Sequence, residues 1–237
     1  MRSVRRASAA CAATLPVAVV LAGCVSTQQI AARARLVSAR ILASQTATDV
    51  TRTNPDVSVG RLTVIRARGG TAIVVPLRND TSTTLTDLPI SVAIRTPRGN
   101  IYLDRSAIFE YFQTHVAVIG PHESTDWVFT TGARVASGRA VAFVGFPQLH
   151  PRVARGLPRI EVSSEGTAGV TVRNRSGIPQ YGLQVYEVAF RAGRPVAAGR
   201  AEVTHLGSNG TTTLSITLLG SEQEAALRLI ALPTIFS

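Results

Sequence analysis

An all-β body built as two tandem antiparallel sandwiches is the fold that this 237-residue sequence predicts. Three observations predict it. From Val57 onward, short apolar runs alternate with polar residues and are broken by Gly, Asn, Asp and Pro, with no helical period between them. The second half of the chain repeats the first, as a pair of similar units would. The two cysteines, Cys11 and Cys24, both lie near the N-terminus, so such a body is held by core packing and not by disulfides.

The N-terminus differs from the body. Arg2, Arg5 and Arg6 precede an apolar stretch over 7–20, interrupted by Thr14 and Pro16 and too short to span a bilayer comfortably. Small residues then lead into Leu21-Ala22-Gly23-Cys24. This pattern resembles the lipobox of bacterial lipoproteins. The resemblance implies a diacylglyceryl group on the Cys24 thiol, cleavage after Gly23, and Cys24 as the first residue of the mature chain. Two or three buried acyl chains hold a protein to a membrane almost permanently, where one binds reversibly. Val25, not Asp, follows the cysteine. By resemblance to lipoprotein sorting, the expected location is the outer membrane of a two-membrane cell, or the outer face of the only membrane of a one-membrane cell.

After the anchor, Ile30, Ala34, Val37 and Ile41 fall at helical spacing, with Arg33, Arg35 and Arg40 elsewhere on the wheel. This predicts a short basic amphipathic helix that lies on lipid headgroups or packs on the body. Polar residues 44–54 then read as a linker ending at Pro55. The formal charge is +11, all of it from Arg because the chain has no Lys. Removing three Arg with the leader leaves 22 basic and 14 acidic residues, or +8. That balance favours anionic neighbours such as headgroups or wall polymers. The Arg residues are scattered rather than clustered, and nucleic acid is not an expected partner at an outer membrane face.

The strands are expected at Leu62-Thr63-Val64, before a Gly69-Gly70 turn; at 72–77; at 88–94, where Leu88, Ile90, Val92 and Ile94 alternate; at 115–119; at Trp127-Val128-Phe129; and at 140–146. The repeat then appears. Gly70-Thr71-Ala72 recurs as Gly166-Thr167-Ala168, and the run from Val75 to Thr81 recurs from Val170 to Ser176. Leu88 matches Leu183, and Gly120 with Trp127 matches Gly207 with Leu214. The run from Val141 to Pro147 matches that from Leu227 to Pro233. The separation is 95 residues at Asn79/Asn174 and 87 at Gly120/Gly207, so the first copy carries eight extra residues between those points.

Each copy has a strand ending in Asn-x-Ser/Thr, then a second strand, and later Gly-x-x-x-Ser/Thr ahead of a strand bearing Trp or Leu. This unit resembles small bacterial Ig-like domains of the FxLYD and CARDB kind. It departs from the first of these at Tyr186-Glu187-Val188-Ala189-Phe190, where an aromatic-Leu-Tyr-Asp run would stand. The resemblance implies scaffold or adhesive modules and brings no catalytic residues. The expected organisation is a signal peptide at 1–23; a lipidated N-terminus with helix and linker at 24–54; Ig-like domains at 55–148 and 159–237; and a linker at 149–158.

Little in the sequence points to chemistry. Asn79, Asn174 and Asn209 fit glycan sequons, but Asn also opens turns through its own backbone, and Asn209-Gly210 is a favoured hairpin pair. The four His lack the spacing of a metal site, no Gly-x-Ser-x-Gly is present, and carboxylates are scattered. No enzyme, cofactor or metal is expected. The extra residues near 104–113 concentrate Phe109, Tyr111 and Phe112, which are either a partner surface or a lid buried on one sandwich. Trp127 is expected in the core of its unit. Two functions remain: a non-catalytic module that holds an envelope protein or anionic wall polymer, and a small-ligand or transporter-accessory lipoprotein with its site between the domains.

Overall fold

A computed structural model describes residues 50–105, 109–147, 157–164 and 169–235. Cys24, the leader, the amphipathic helix, most of the linker between the copies and the Gly166-Thr167-Ala168 match lie outside these residues. The described chain is all-β, with antiparallel sheets and no barrel.

The first half runs β1 (Val57–Val59), β2 (Thr63–Ala67), β3 (Gly70–Asn79), β4 (Leu85–Thr96), β5 (Gly99–Tyr102), a 3-10 turn (Tyr111–Gln113), β6 (His115–Ile119), β7 (Ser124–Thr131) and β8 (Arg139–Val144). The second runs β9 (Ile160–Ser164), β10 (Val170–Asn174), β11 (Gln180–Arg191), β12 (Arg194–Leu206), β13 (Thr211–Leu214), β14 (Leu219–Gly220) and β15 (Ala226–Ala231). Every strand expected from alternation is present. The short β1 and β5 were not expected, because three or four residues carry too little alternation to be read.

The repeat extends to topology and register. In the first half β3 pairs with β1, β2 and β7, while β4 pairs with β5, β6 and β8. In the second, β10 pairs with β9 and β13, and β11 lies between β12 and β15. Val75 opposes Trp127 just as Val170 opposes Leu214. One sequence match needs correction. Ile90 opposes Val144 and Val185 opposes Ala231, so Val144 occupies the place of Ala231, and Val141 that of Arg228 rather than Leu227. A one-residue slip exchanges the two faces of a strand, so the ladder and not the residue likeness fixes the equivalence.

The eight extra residues also find their place. In the second copy β12 is a single strand along β11 from Arg194 to Leu206, with a register shift at Ala189/Phe190 and a gap at Gly182. In the first copy β5 and β6 hold the two ends of the corresponding path. Leu103 N–H donates to Val92 O at 2.9 Å, and Ile90 N–H donates to Thr114 O at 2.9 Å. The chain thus leaves the edge of β4 and rejoins it two residues away, and the excursion between carries Phe109, Tyr111 and Phe112.

One apolar cluster crosses the boundary between the copies. It joins Ile73, Leu77, Leu88, Ile90, Trp127 and Phe129 of the first half to Tyr186, Val188 and Ala198 of the second. Trp127 is 1% exposed, as expected of a core residue. A separate cluster of Val170, Val172, Leu183 and Val185 fills the second half alone. Alternation along β11 explains the division: Leu183 and Val185 face their own unit, while Tyr186 and Val188 face the shared core.

Candidate binding groove between the two halves

Two equivalent asparagines close the matching strands. Asn79 is fully buried; its Nδ2 donates to the carbonyls of Thr83 (2.7 Å), Ile119 (3.2 Å) and Gly120 (2.9 Å), and its Oδ1 accepts from the Thr81 N–H (2.9 Å) and hydroxyl (2.8 Å). Asn174 repeats this with Ile178 O (2.8 Å), Gly207 O (3.0 Å) and Ser176. Both amides are occupied inside the protein, which leaves neither free as a glycan acceptor in the folded chain. His122 (φ 55°) and Asn209 (φ 54°) are matching left-handed residues in the turns that these asparagines pin. The second turn is centred on Ser208-Asn209 rather than Asn209-Gly210, since Gly210 N–H closes it on Gly207 O at 3.0 Å.

The excursion acts as a clasp. Tyr111 and Phe112 are 4% and 5% exposed, so of the two alternatives, a partner surface or a buried lid, these two side chains take the buried one. Tyr111, Phe112 and Ala117 form one apolar cluster with Ile235 of the second half, and Ile178, Tyr181 and Leu232 pack against it. Phe112 approaches the β11 backbone at Gly182, where an added Cβ would lie 3.5 Å from the ring. Gly182 (φ 60°) stands at the repeat position of Asp87 (φ 54°), and both interrupt their ladders. The Tyr111 hydroxyl donates to Asp87 Oδ1 at 2.7 Å, and its ring stacks on His115 at 3.8 Å. Burial, then the Asp87 carboxylate, pushes the Tyr111 hydroxyl pKa upward. Phe109 is half-buried, 5.6 Å from Phe129. Arg200 of β12 lies 5.9 Å and 5.6 Å over these two rings and donates to Gln113 O at 3.2 Å. Gln180 ties the C-terminal segment to β11: its Oε1 accepts from Thr234 N–H at 2.8 Å, and its Nε2 donates to Ile235 O at 3.0 Å.

With the halves so joined, a groove forms where β7 and β15 meet. Arg228 donates to Asp126 Oδ2 at 2.8 Å, with side chains 60% and 9% exposed. The Arg228 guanidinium also lies 4.5 Å over the Phe190 ring. A cavity opens on each side of the pair. One, of about 440 Å³, is lined by Gly60, Pro76, Arg78 and Thr125. The other, of about 380 Å³, is lined by Val118, Ile119, Thr125, Ile230 and Leu232. Among the described residues each of β7 and β15 pairs on one side only, with β3 and β11 respectively. Sequence reading missed this site because Asp126 and Arg228 are 102 residues apart and neither belongs to a motif.

Among the described residues no three His, Cys, Asp or Glu side chains gather as a metal site would require, and no helix is long and apolar enough to cross a membrane. His115 stacks on Tyr111, whereas His205 lies 4.7 Å from Tyr181, so the two serve different local packings. Comparison of the sequence with known proteins finds no matching family model and no matching curated protein.

Proposed function

We propose that the chain is a lipid-anchored bacterial envelope protein, tethered through Cys24, whose two Ig-like units form a non-catalytic module that captures an envelope protein in the groove between them. The observation that carries this reading is the pair of one-sided strands, β7 and β15, flanking a groove lined from both halves. A strand edge offers unpaired N–H and C=O groups to a partner's extended segment, and the Asp126–Arg228 pair supplies polar groups that would fix its register. Buried Tyr111 and Phe112 support the same reading indirectly, because they join the halves whose edges make the groove. Half-buried Phe109 adds to this joining through the Arg200 guanidinium of the second half, 5.9 Å over its ring.

The test is photo-crosslinking in living cells with the probe placed at Thr125 and at Ile230 in the full lipidated chain. A discrete protein adduct at both positions is expected. Adducts at an exposed control, Ile101, with none at the groove would refute the reading. The volumes of the two cavities favour one alternative, a small-ligand or transporter-accessory lipoprotein. Under that alternative the groove probes give no protein adduct, and a panel of envelope metabolites raises the melting temperature.

A further inference from the structure

The second half holds a carboxylate where the first half holds a hydrocarbon. By the repeat, Leu88, Ile90, Val92 and Ile94 of β4 correspond to Leu183, Val185, Glu187 and Ala189 of β11. In the first copy all four are fully buried apolar side chains. In the second, Glu187 keeps the inward face of Leu183 and Val185, and Ala189 is smaller than its counterpart. Glu187 is only 7% exposed, and among the described residues no hydrogen bond or ion pair reaches its carboxylate. The side chain is largely covered but its carboxylate oxygens are not enclosed, and the sister copy holds Val at the same position.

Glu187 lines a cavity of about 720 Å³ at the end of the second half. Its walls include Val170, Ile216, Leu218 and Leu227, with Glu187 and Glu222 as its charged groups. Among the described residues no basic side chain lines it. Gly199, opposite Glu187 in the ladder, keeps the wall in place: a Cβ there would stand 2.4 Å from Thr217 O.

From this geometry we infer that the cavity is a binding site for an organic cation, one ammonium group with an apolar body, whose charge is met by Glu187 and whose body lies on the aliphatic walls. Two carboxylates among hydrocarbon do not supply the roughly six to eight oxygen ligands that a calcium ion takes, so a bare divalent cation does not suit the site. The site is separate from the groove of β7 and β15 and stands or falls independently of it.

The test titrates the full chain with hexylammonium chloride by isothermal calorimetry and ligand-observed NMR, with hexanol as the uncharged isostere and calcium chloride as the bare cation. Hexylammonium is expected to bind about tenfold or more tightly than hexanol, as a charge-assisted hydrogen bond contributes. Glu187→Gln, which keeps the shape, is expected to remove that preference, and Glu187→Val, which copies the first half, is expected to abolish binding while the chain stays folded. Equal binding of hexanol, an undiminished preference in Glu187→Gln, saturable calcium binding that displaces hexylammonium, or no hexylammonium binding at all would each overturn the inference.

Discussion

Replacing Asn79 by Ala removes five hydrogen bonds from one fully buried side chain: three donated to backbone carbonyls and two accepted from Thr81. A hydrogen bond contributes about 1 kcal/mol net, and a buried group left without a partner costs about 1–3 kcal/mol. The bonds to Ile119 O and Gly120 O are buried, while those to Thr83 and Thr81 are partly solvated, so water recovers some of the loss. These terms give a loss of about 3 kcal/mol. Asn174→Ala removes four bonds, all partly buried, and is expected to cost less, about 2 kcal/mol. The assay is urea unfolding followed by Trp127 fluorescence, which reports on the first half, and by far-ultraviolet circular dichroism, which reports on both. Because one apolar cluster spans the copies, both variants should shift a single coincident transition. A loss below about 1 kcal/mol in Asn79→Ala would refute the hydrogen-bond accounting. A Trp127 transition unmoved by Asn174→Ala would refute the coupling of the halves.

Phe112→Ala empties the contact between the clasp and the second half and is expected to destabilise the chain by about 3 kcal/mol, measured by the same unfolding experiment. Arg228→Ala leaves the nearly buried Asp126 unpaired, but Arg228 is itself largely solvated. The expected loss is therefore about 1 kcal/mol, and a double-mutant cycle with Asp126→Ala should return a coupling of the same order. Burial, reinforced by the Glu222 charge, holds the Glu187 carboxyl above its ordinary value of 4.5. The folded state therefore grips this proton more tightly than the unfolded chain does. Stability drawn from the neutral carboxyl is present below pH 4.5 and is lost as pH rises through the folded value. Melting temperatures of Glu187→Gln and the parent chain should thus converge in acid and separate toward neutral pH, with the variant higher; a gap that narrows as pH rises would contradict this sign.

The sequence by itself determined the local parts. Alternation placed the longer strands, because a half-buried strand must present every second residue to the core. The recurrence of Asn-x-Thr and Asn-x-Ser marked two equivalent corners, since Asn bonds the backbone two residues on in either copy. The length difference between the copies located the excursion. What the tertiary structure decided is where these parts meet. Aromatic residues in the excursion suit a partner or a core equally well until Gly182 of the other copy is brought under Phe112. The Val141 match held by composition and failed by one residue in the ladder, because side-chain likeness carries no register. Asp126 finds Arg228, and Arg200 finds Phe109 and Phe129, across chain separations that no period or short motif spans. Such contacts depend on how two folded surfaces close on each other, and pattern within a strand is silent on that.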